Sequence, residues 1–407
     1  MQEIDWSSRF EGNPIPGSGL CWYTNFDGVW KQAPRDAFAG AGAGNQILIV
    51  IPSLDMIIVR NGGNLYDPDK GEFFWTGVEK YLLNPVMNVL TGPPYPHSPV
   101  IKSVEFAPLS SVDRKAKGSD NWPITWGDDN ALYTAYGDGW GFEPRTEIKL
   151  SLGIARITGG PENLAGANIR TVSGERVGQG RYGPKVSGML MVDGVLYMLV
   201  RNTGNSQLAR SEDRGQTWTW ENWRFAEGFG CPAFLNFGKD YQGARDGYVY
   251  IYSHDAETAY LSADRTALAR VPKNRIRDRS AYDFFTGFDT SGNPRWTNDI
   301  RLRAAVFVNP GQCYRTSVTY NPGLKRYMMC QIIAGGDSRF SGGFGIYDAP
   351  EPWGPWTTVY YTREWDTGPG ESCHLPSKWM SPDGTECYLV FSGEDCFSVR
   401  KVRFGSN

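Results

Sequence analysis

The chain is short of histidine: His97, His254 and His374 are the only three among 407 residues. That scarcity excludes a three-histidine zinc site in the second half of the sequence and leaves carboxyl groups as the main supply of acids and bases. The seven cysteines include no Cys-x-x-Cys pair, so neither a zinc ribbon nor a dense disulfide framework fits, and buried free thiols with at most one or two bridges are expected. No block of five or six like charges occurs and the formal net charge is −3. Nucleic acid is therefore not expected as a partner, because neutralising phosphates takes a concentrated basic face. The longest apolar run, Ile47-Leu-Ile-Val-Ile51, falls far short of the roughly 20 residues that span a membrane. The opening residues, Met1-Gln-Glu-Ile-Asp-Trp6, lack the basic and apolar regions of a signal peptide. Either a cytoplasmic protein or a chain whose natural start lies upstream is expected.

What is abundant is glycine and aromatic side chains: 49 Gly, 15 Trp, 21 Tyr and 20 Phe. Many short strands joined by tight turns would use both, since glycine supplies positive φ and aromatics pack well on pleated surfaces. Residues 1–90 read as a small α+β appendage: a strand at Gly19–Asn25, a Gly/Ala-rich turn at Phe38–Gln46, a hairpin from Ile47–Ile51 and Asp55–Arg60, then helical spacing from Phe74 to Leu90. Four prolines within Thr91-Gly-Pro-Pro-Tyr-Pro-His-Ser-Pro99 forbid helix and mark residues 91–118 as a connector. From 119 to 407 the pattern is strands and turns, with apolar anchors such as Gly188–Val200, Gly247–Tyr252 and Arg326–Ile333 recurring every 50 to 70 residues or so. A mainly β fold, a β-propeller, is expected, and five blades fit the length better than seven at roughly 40 to 50 residues per blade.

The sharpest short motif, Ser211-Glu-Asp-Arg-Gly-Gln-Thr-Trp218, resembles the Asp-box of sialidase-like propellers. Its Asp213 is expected to cap a hairpin turn, with Gly215 taking positive φ and Trp218 packing beneath. Trp126-Gly-Asp-Asp-Asn-Ala-Leu-Tyr, Ser317-Val-Thr-Tyr-Asn-Pro-Gly, Pro352-Trp-Gly-Pro-Trp356 and Lys378-Trp-Met-Ser-Pro-Asp-Gly384 are similar to glycan-directed propellers of a domain-of-unknown-function family that includes endo-D-arabinanases and is akin to five-bladed furanosidase propellers. The first region, through Gly19-Leu-Cys-Trp-Tyr, Ala41-Gly-Ala-Gly-Asn-Gln46 and Ile51–Val59, resembles the C-terminal end of β-lactamase-related serine hydrolases. That family's nucleophile lies in a Ser-x-x-Lys motif, which is expected to be missing from the whole chain, so the resemblance implies a remnant with no nucleophile of its own.

The propeller resemblance implies a carbohydrate substrate met in a central funnel, and from that substrate class a periplasmic or extracellular setting. No cofactor is expected, though a structural calcium ion stays open, as does the oligomeric state. Glycoside hydrolysis needs two carboxyl groups about the scissile bond. Asp128, taken to start an inner strand after Trp126, is the first candidate for base or nucleophile, with the Trp126 ring as a sugar platform. Asp129 and Asp138 belong to the same hairpin, and all three aspartates fit turn chemistry equally well. The second carboxyl group is assigned to Asp255, after His254 at a strand end, or to Glu371, which shares a loop with His374. Arg181, Lys185 and Arg315 suit uronate or sulfate groups, or plain ion pairs. They keep open a polysaccharide lyase with His254, Tyr260 and Arg315 as its working groups, while the aromatic content keeps open a non-catalytic glycan-binding propeller.

Overall fold

A computed structural model describes residues 15–333 and 337–406, which divide into two compact units with the boundary between Gly92 and Pro93. The protein is mainly β. In the first unit, five short strands, Gly17–Gly19, Trp22–Thr24, Phe38–Gly42, Gln46–Ile51 and Met56–Arg60, form an antiparallel meander in chain order. The alternation of Gln46–Ile51 turns Ile47, Ile49 and Ile51 to one face, where they bury against Trp75, Val78, Leu83 and Met87 of the helical stretch 74–91. The Gly/Ala-rich segment expected to be a turn is mostly strand: Phe38–Gly42 pairs with Gln46–Val50, and only Ala43-Gly44-Asn45 turns, with Gly44 and Asn45 at positive φ. Small side chains suit a strand there, because a Cβ on Gly40 would come within 3.3 Å of the Trp22 ring.

The second unit is a run of antiparallel meanders. The first sheet holds Asp120–Trp126, Leu132–Gly137, Gly153–Thr158 and Ala165–Ile169; the second holds Lys185–Val192, Val195–Arg201, Ser206–Ser211 and Thr219–Phe225. The third begins with Ala233–Asn236, Tyr248–His254 and Ala263–Pro272, and the fourth with Thr316–Asn321, Arg326–Ile332 and Phe344–Ala349. A short parallel pairing, Leu235 with Val318, joins those two through their first strands. The fifth sheet, Cys373–His374, Glu386–Phe391 and Phe397–Ser406, takes its outer strand from Ile101–Phe106.

Polar side chains on the first strands stitch neighbouring sheets together. Thr125 Oγ1 accepts from the Met191 amide (3.0 Å), Ser187 Oγ donates to the Pro232 carbonyl (2.7 Å), and Ser317 Oγ donates to the Cys373 carbonyl (2.5 Å). Buried hydroxyls with partners of this kind fix strand position without leaving orphaned groups.

Two sequence expectations need correction. Residues 91–118 are no mere connector: past the prolines, Ile101–Phe106 and Asp113–Lys115 both pair with Phe397–Ser406, because alternating side chains there bury Ile101 against the fifth sheet's core. A Ser-x-x-Lys spacing does occur in the chain, at Ser398-Val-Arg-Lys401. It lies on a strand, where positions i and i+3 face opposite ways; Ser398 Oγ donates to the buried Gly393 carbonyl while Lys401 pairs with Glu386. All seven cysteines are free thiols. At the Asp-box-like turn, Asp213 Oδ1 accepts from the Thr217 amide (2.8 Å) and Oδ2 from its hydroxyl (2.6 Å), and Trp218 Nε1 donates to the Gly215 carbonyl (3.0 Å).

Candidate active site

The first strands of the first two sheets begin at the same end of the unit, and at that end every sheet contributes a polar side chain to one cluster. Asp120 opens the first strand of the first sheet opposite Gly137, and Asp138 follows Gly137. Lys185 opens the second sheet opposite Arg201. Lys185 Nζ lies 2.5 Å from Asp138 Oδ1, and Asp138 Oδ2 also accepts from the Gly180 amide at 3.0 Å. From the fifth sheet's leading loop, Glu371 pairs through Oε2 with Arg201 Nη2 at 3.5 Å and with Arg315 Nη1, which enters from the start of the fourth sheet. The third sheet supplies Tyr260, whose ring centre is 5.5 Å from both guanidinium carbons. Burial is deep: the side chains of Lys185, Arg201 and Arg315 are 3%, 0% and 6% exposed.

A glycine makes the corner fit. A Cβ on Gly137 would stand 2.7 Å from Asp120 Oδ1 and 3.4 Å from Lys185 Cδ, so any side chain there would push the carboxyl group and the lysine stem apart. Asp120 Oδ1 is buried and has no hydrogen-bond partner among the described residues. Burial raises its pKa above the usual carboxyl value; Lys185 and Arg201 pull it down, while the negative charges of Asp138 and Asp395 add to the rise. Burial also lowers the Arg315 pKa, helped by the like charge of Arg201.

Beside this cluster, between loops of the second and third sheets, opens a cleft of about 470 Å³ lined by Arg181, Asn202, Asn205, Glu257, Tyr260 and Leu261 among others. Among the described residues no three His, Cys, Asp or Glu side chains gather to hold a metal ion, and no helix is long and apolar enough to cross a membrane.

The sequence-expected residues divide by the end of the strand on which they stand. Asp138, Lys185, Arg315 and Glu371 are in the cluster, Arg181 is on the cleft wall, and His374 lines the closed floor beside Glu371 and Arg315. Asp128 is elsewhere. Trp126 ends the first strand instead of starting it, so Asp128 and Asp129 sit in the hairpin six or more residue steps from Asp120, roughly 20 Å along a strand. There Asp128 takes both arms of Arg214 at 3.0 Å, which holds its carboxyl below the usual range. Asp129 accepts from Tyr133 Oη (2.9 Å) and pairs with Arg156 (2.7 Å), and Trp126 Nε1 donates to Asn130 Oδ1 (3.0 Å). Asp255 is locked between Arg265 and Arg303, each Nε at 2.7 Å. His254 is walled in, Nε2 facing the Thr258 carbonyl at 3.1 Å.

Sequence reasoning missed Asp120 and Arg201. The signal for Asp120 was the turn itself: Gly127-Asp-Asp-Asn130 is turn chemistry, so the inner strand had to precede it and open near Ser119-Asp120.

A family model covers residues 180–399, more than half of the chain. The protein belongs to the family described as Domain of unknown function (DUF4185). Within the DUF4185 match lie Lys185, Arg201, Tyr260, Arg315 and Glu371; Asp120 and Asp138 precede it. No curated protein matches the sequence. Similar solved structures include the alpha-L-arabinofuranosidase PaAbf62A of Podospora anserina in complex with cellotriose, at 10% identity over 76% of this chain and 96% of that one, with a TM-score of 0.41. Others are the GH43_1 enzyme of Xanthomonas citri (15% identity, 74% and 90% covered, TM-score 0.39) and the exo-beta-1,3-galactanase of Phanerochaete chrysosporium (9%, 72% and 64%, 0.40).

Two expected results follow from these placements. Asp128→Asn removes a half-exposed ion pair, so it is expected to cost about 0.2–1 kcal/mol and to leave every activity of the folded protein unchanged; a large loss of turnover at unchanged melting temperature would return Asp128 to the site. The second concerns acid. Burial depresses His254 to about 4 and His374 to about 3, from 6.5. The unfolded chain thus binds protons that the folded chain refuses, so the stability from keeping these rings neutral is whole above pH 6.5 and is lost as pH falls from there towards 4 and 3. Melting temperature recorded from pH 7 to 4 should fall, and it should fall less steeply in His374→Asn than in the parent.

Proposed function

We propose that residues 93–407 form a five-bladed β-propeller that hydrolyses glycosidic bonds in a carbohydrate, with Asp120 as proton donor and Glu371 as the opposing carboxylate. The observation that supports this most directly is the contrast between two carboxyl groups at one funnel mouth. Asp120 is desolvated and favours its proton; Glu371 is met by two guanidiniums. Paired acids in opposed environments are what general acid catalysis with an ionised partner requires. In this reading Asp120 hands its proton to the leaving oxygen, and Glu371 either attacks the anomeric carbon or deprotonates a water. A carboxyl separation near 5 Å in the loaded enzyme goes with retention, and about 6.5–9.5 Å with inversion. Lys185, anchored by Asp138, keeps the Asp120 proton transferable, and Gly137 leaves room for that contact. For residues 15–92 the five-stranded meander and its helix support the reading as the tail of a serine hydrolase, carrying no chemistry alone.

Tyr260 favours a second reading. A phenol flanked by two guanidiniums, which would neutralise a uronate, is a base suited to elimination. Products separate the two: incubation with neutral and uronate-containing polysaccharides should yield new reducing ends without near-ultraviolet absorbance. Unsaturated uronate ends would establish the lyase, and no cleavage of either class would leave a binding module.

A further inference from the structure

The cleft beside the funnel is built, and its builder is a strained loop. Asn202, Gly204 and Asn205 all adopt positive φ, at 63°, 79° and 86°, a conformation that costs free energy for the two asparagines unless their surroundings hold it. Asn202 Nδ2 donates to the Gly183 carbonyl at 2.8 Å and reaches Tyr260 Oη at 3.3 Å, so one amide ties the turn bearing Arg181 to the opposite wall. Asn205 Nδ2 donates to the Gly228 carbonyl at 2.5 Å and to Glu257 Oε2 at 3.4 Å, and Glu257 Oε1 accepts from the Gly228 amide at 3.0 Å. Both walls are pinned before any ligand arrives, and the volume falls within the range of about 300–1,000 Å³ usual for ligand clefts.

The polar groups left over specify the ligand. Asn205 Oδ1 is a buried acceptor without a partner among the described residues. Glu257 carries acceptor capacity beyond its two bonds. Arg181 is exposed and without an ion pair among the described residues. Two acceptors call for donors, which a hydroxyl has and a carboxylate lacks, while Arg181 answers a hydroxyl oxygen. A uronate has donor hydroxyls too, but its carboxylate finds only Arg181 and brings a second negative charge into the cleft that holds Glu257.

We infer that this cleft is a subsite for an uncharged sugar unit, whose hydroxyls donate to Asn205 and Glu257 and accept from Arg181, with Tyr260 as the wall it shares with the reaction centre. The inference rests on the carbohydrate-active reading and narrows it to a neutral glycan. Calorimetric titration of the full chain carrying Asp120→Asn, so that turnover is slow on the timescale of the titration, with xylotriose, cellotriose, arabinotriose and trigalacturonate tests it. At least one neutral trisaccharide should bind and trigalacturonate should not. Glu257→Gln, whose amide oxygen still accepts from the Gly228 amide, should weaken the neutral sugar about tenfold with little change in melting temperature. Asn205→Gly, which keeps the positive φ but loses the bond to the Gly228 carbonyl, should weaken it at least as much and melt lower. Tighter binding of trigalacturonate, binding indifferent to both substitutions, or no binding by any neutral trisaccharide would overturn it. Cleavage is read separately in the parent protein: binding without cleavage removes the hydrolase and leaves the subsite, whereas cleavage that ignores both substitutions removes the subsite and leaves the hydrolase.

Discussion

Asp120→Asn is expected to lower turnover about 10²- to 10⁴-fold, the usual contribution of a positioned general acid, while folding survives intact. The substitution keeps the shape of the side chain and removes only its titration. Because burial raises the Asp120 pKa in the folded state, the ionised form is a liability to stability near neutral pH, and the asparagine variant should melt no lower than the parent. The alkaline limb of kcat/KM, which reports loss of the acid's proton, should disappear with it. A variant that keeps full turnover and the same pH profile would take Asp120 out of the reaction; one that fails to fold would mean that the carboxyl group serves the Lys185 corner instead.

Glu371→Gln carries the second large effect, this time on stability as much as on rate. Arg201 and Arg315 both converge on this one carboxylate, and their side chains are almost wholly buried. Removing the anion leaves two like charges facing each other away from water, and breaking a buried pair in this way costs about 3–5 kcal/mol. Urea unfolding should register that loss. Adding Arg201→Met to Glu371→Gln should recover part of it, since one uncompensated charge is then gone, whereas Arg201→Met alone should destabilise. Additive effects of the two substitutions would mean that the pair is not coupled.

The sequence was most legible where a local rule has a single outcome. Ile47, Ile49 and Ile51 alternate into a core as a half-buried strand must, and Ser211–Trp218 closes a turn with its own hydroxyl, carboxyl and glycine. Glu371 was singled out by its loop position and Lys185 by its Gly-rich context, and both stand in the polar cluster. What stayed hidden depends on partners far away in the chain. Asp128 and Asp255 look identical to Asp120 in one dimension; only the arrival of Arg214 at one, and of Arg265 and Arg303 at the other, turns them into ion pairs. Asp120 is distinctive for the opposite reason, that its Oδ1 is left with no donor, and an absence of contact has no signature in composition or spacing. The same holds for Arg201, the last residue of an apolar strand, whose neighbours come from four other sheets.

The outer strand of the fifth sheet has a consequence for how this protein is made. Ile101–Phe106 leaves the ribosome well ahead of its partner, because Val402, opposite Phe106, is translated roughly 300 residues later. At about 5–20 residues per second that is a wait of about 15 to 60 s, during which an edge with unmet backbone groups is available to any passing strand. The charged side chains Lys102 and Glu105 on that strand are the kind of gatekeepers that discourage wrong partners. A nascent chain stalled before Phe397 would therefore be the form of this protein most prone to aggregate, and the one most in need of a chaperone.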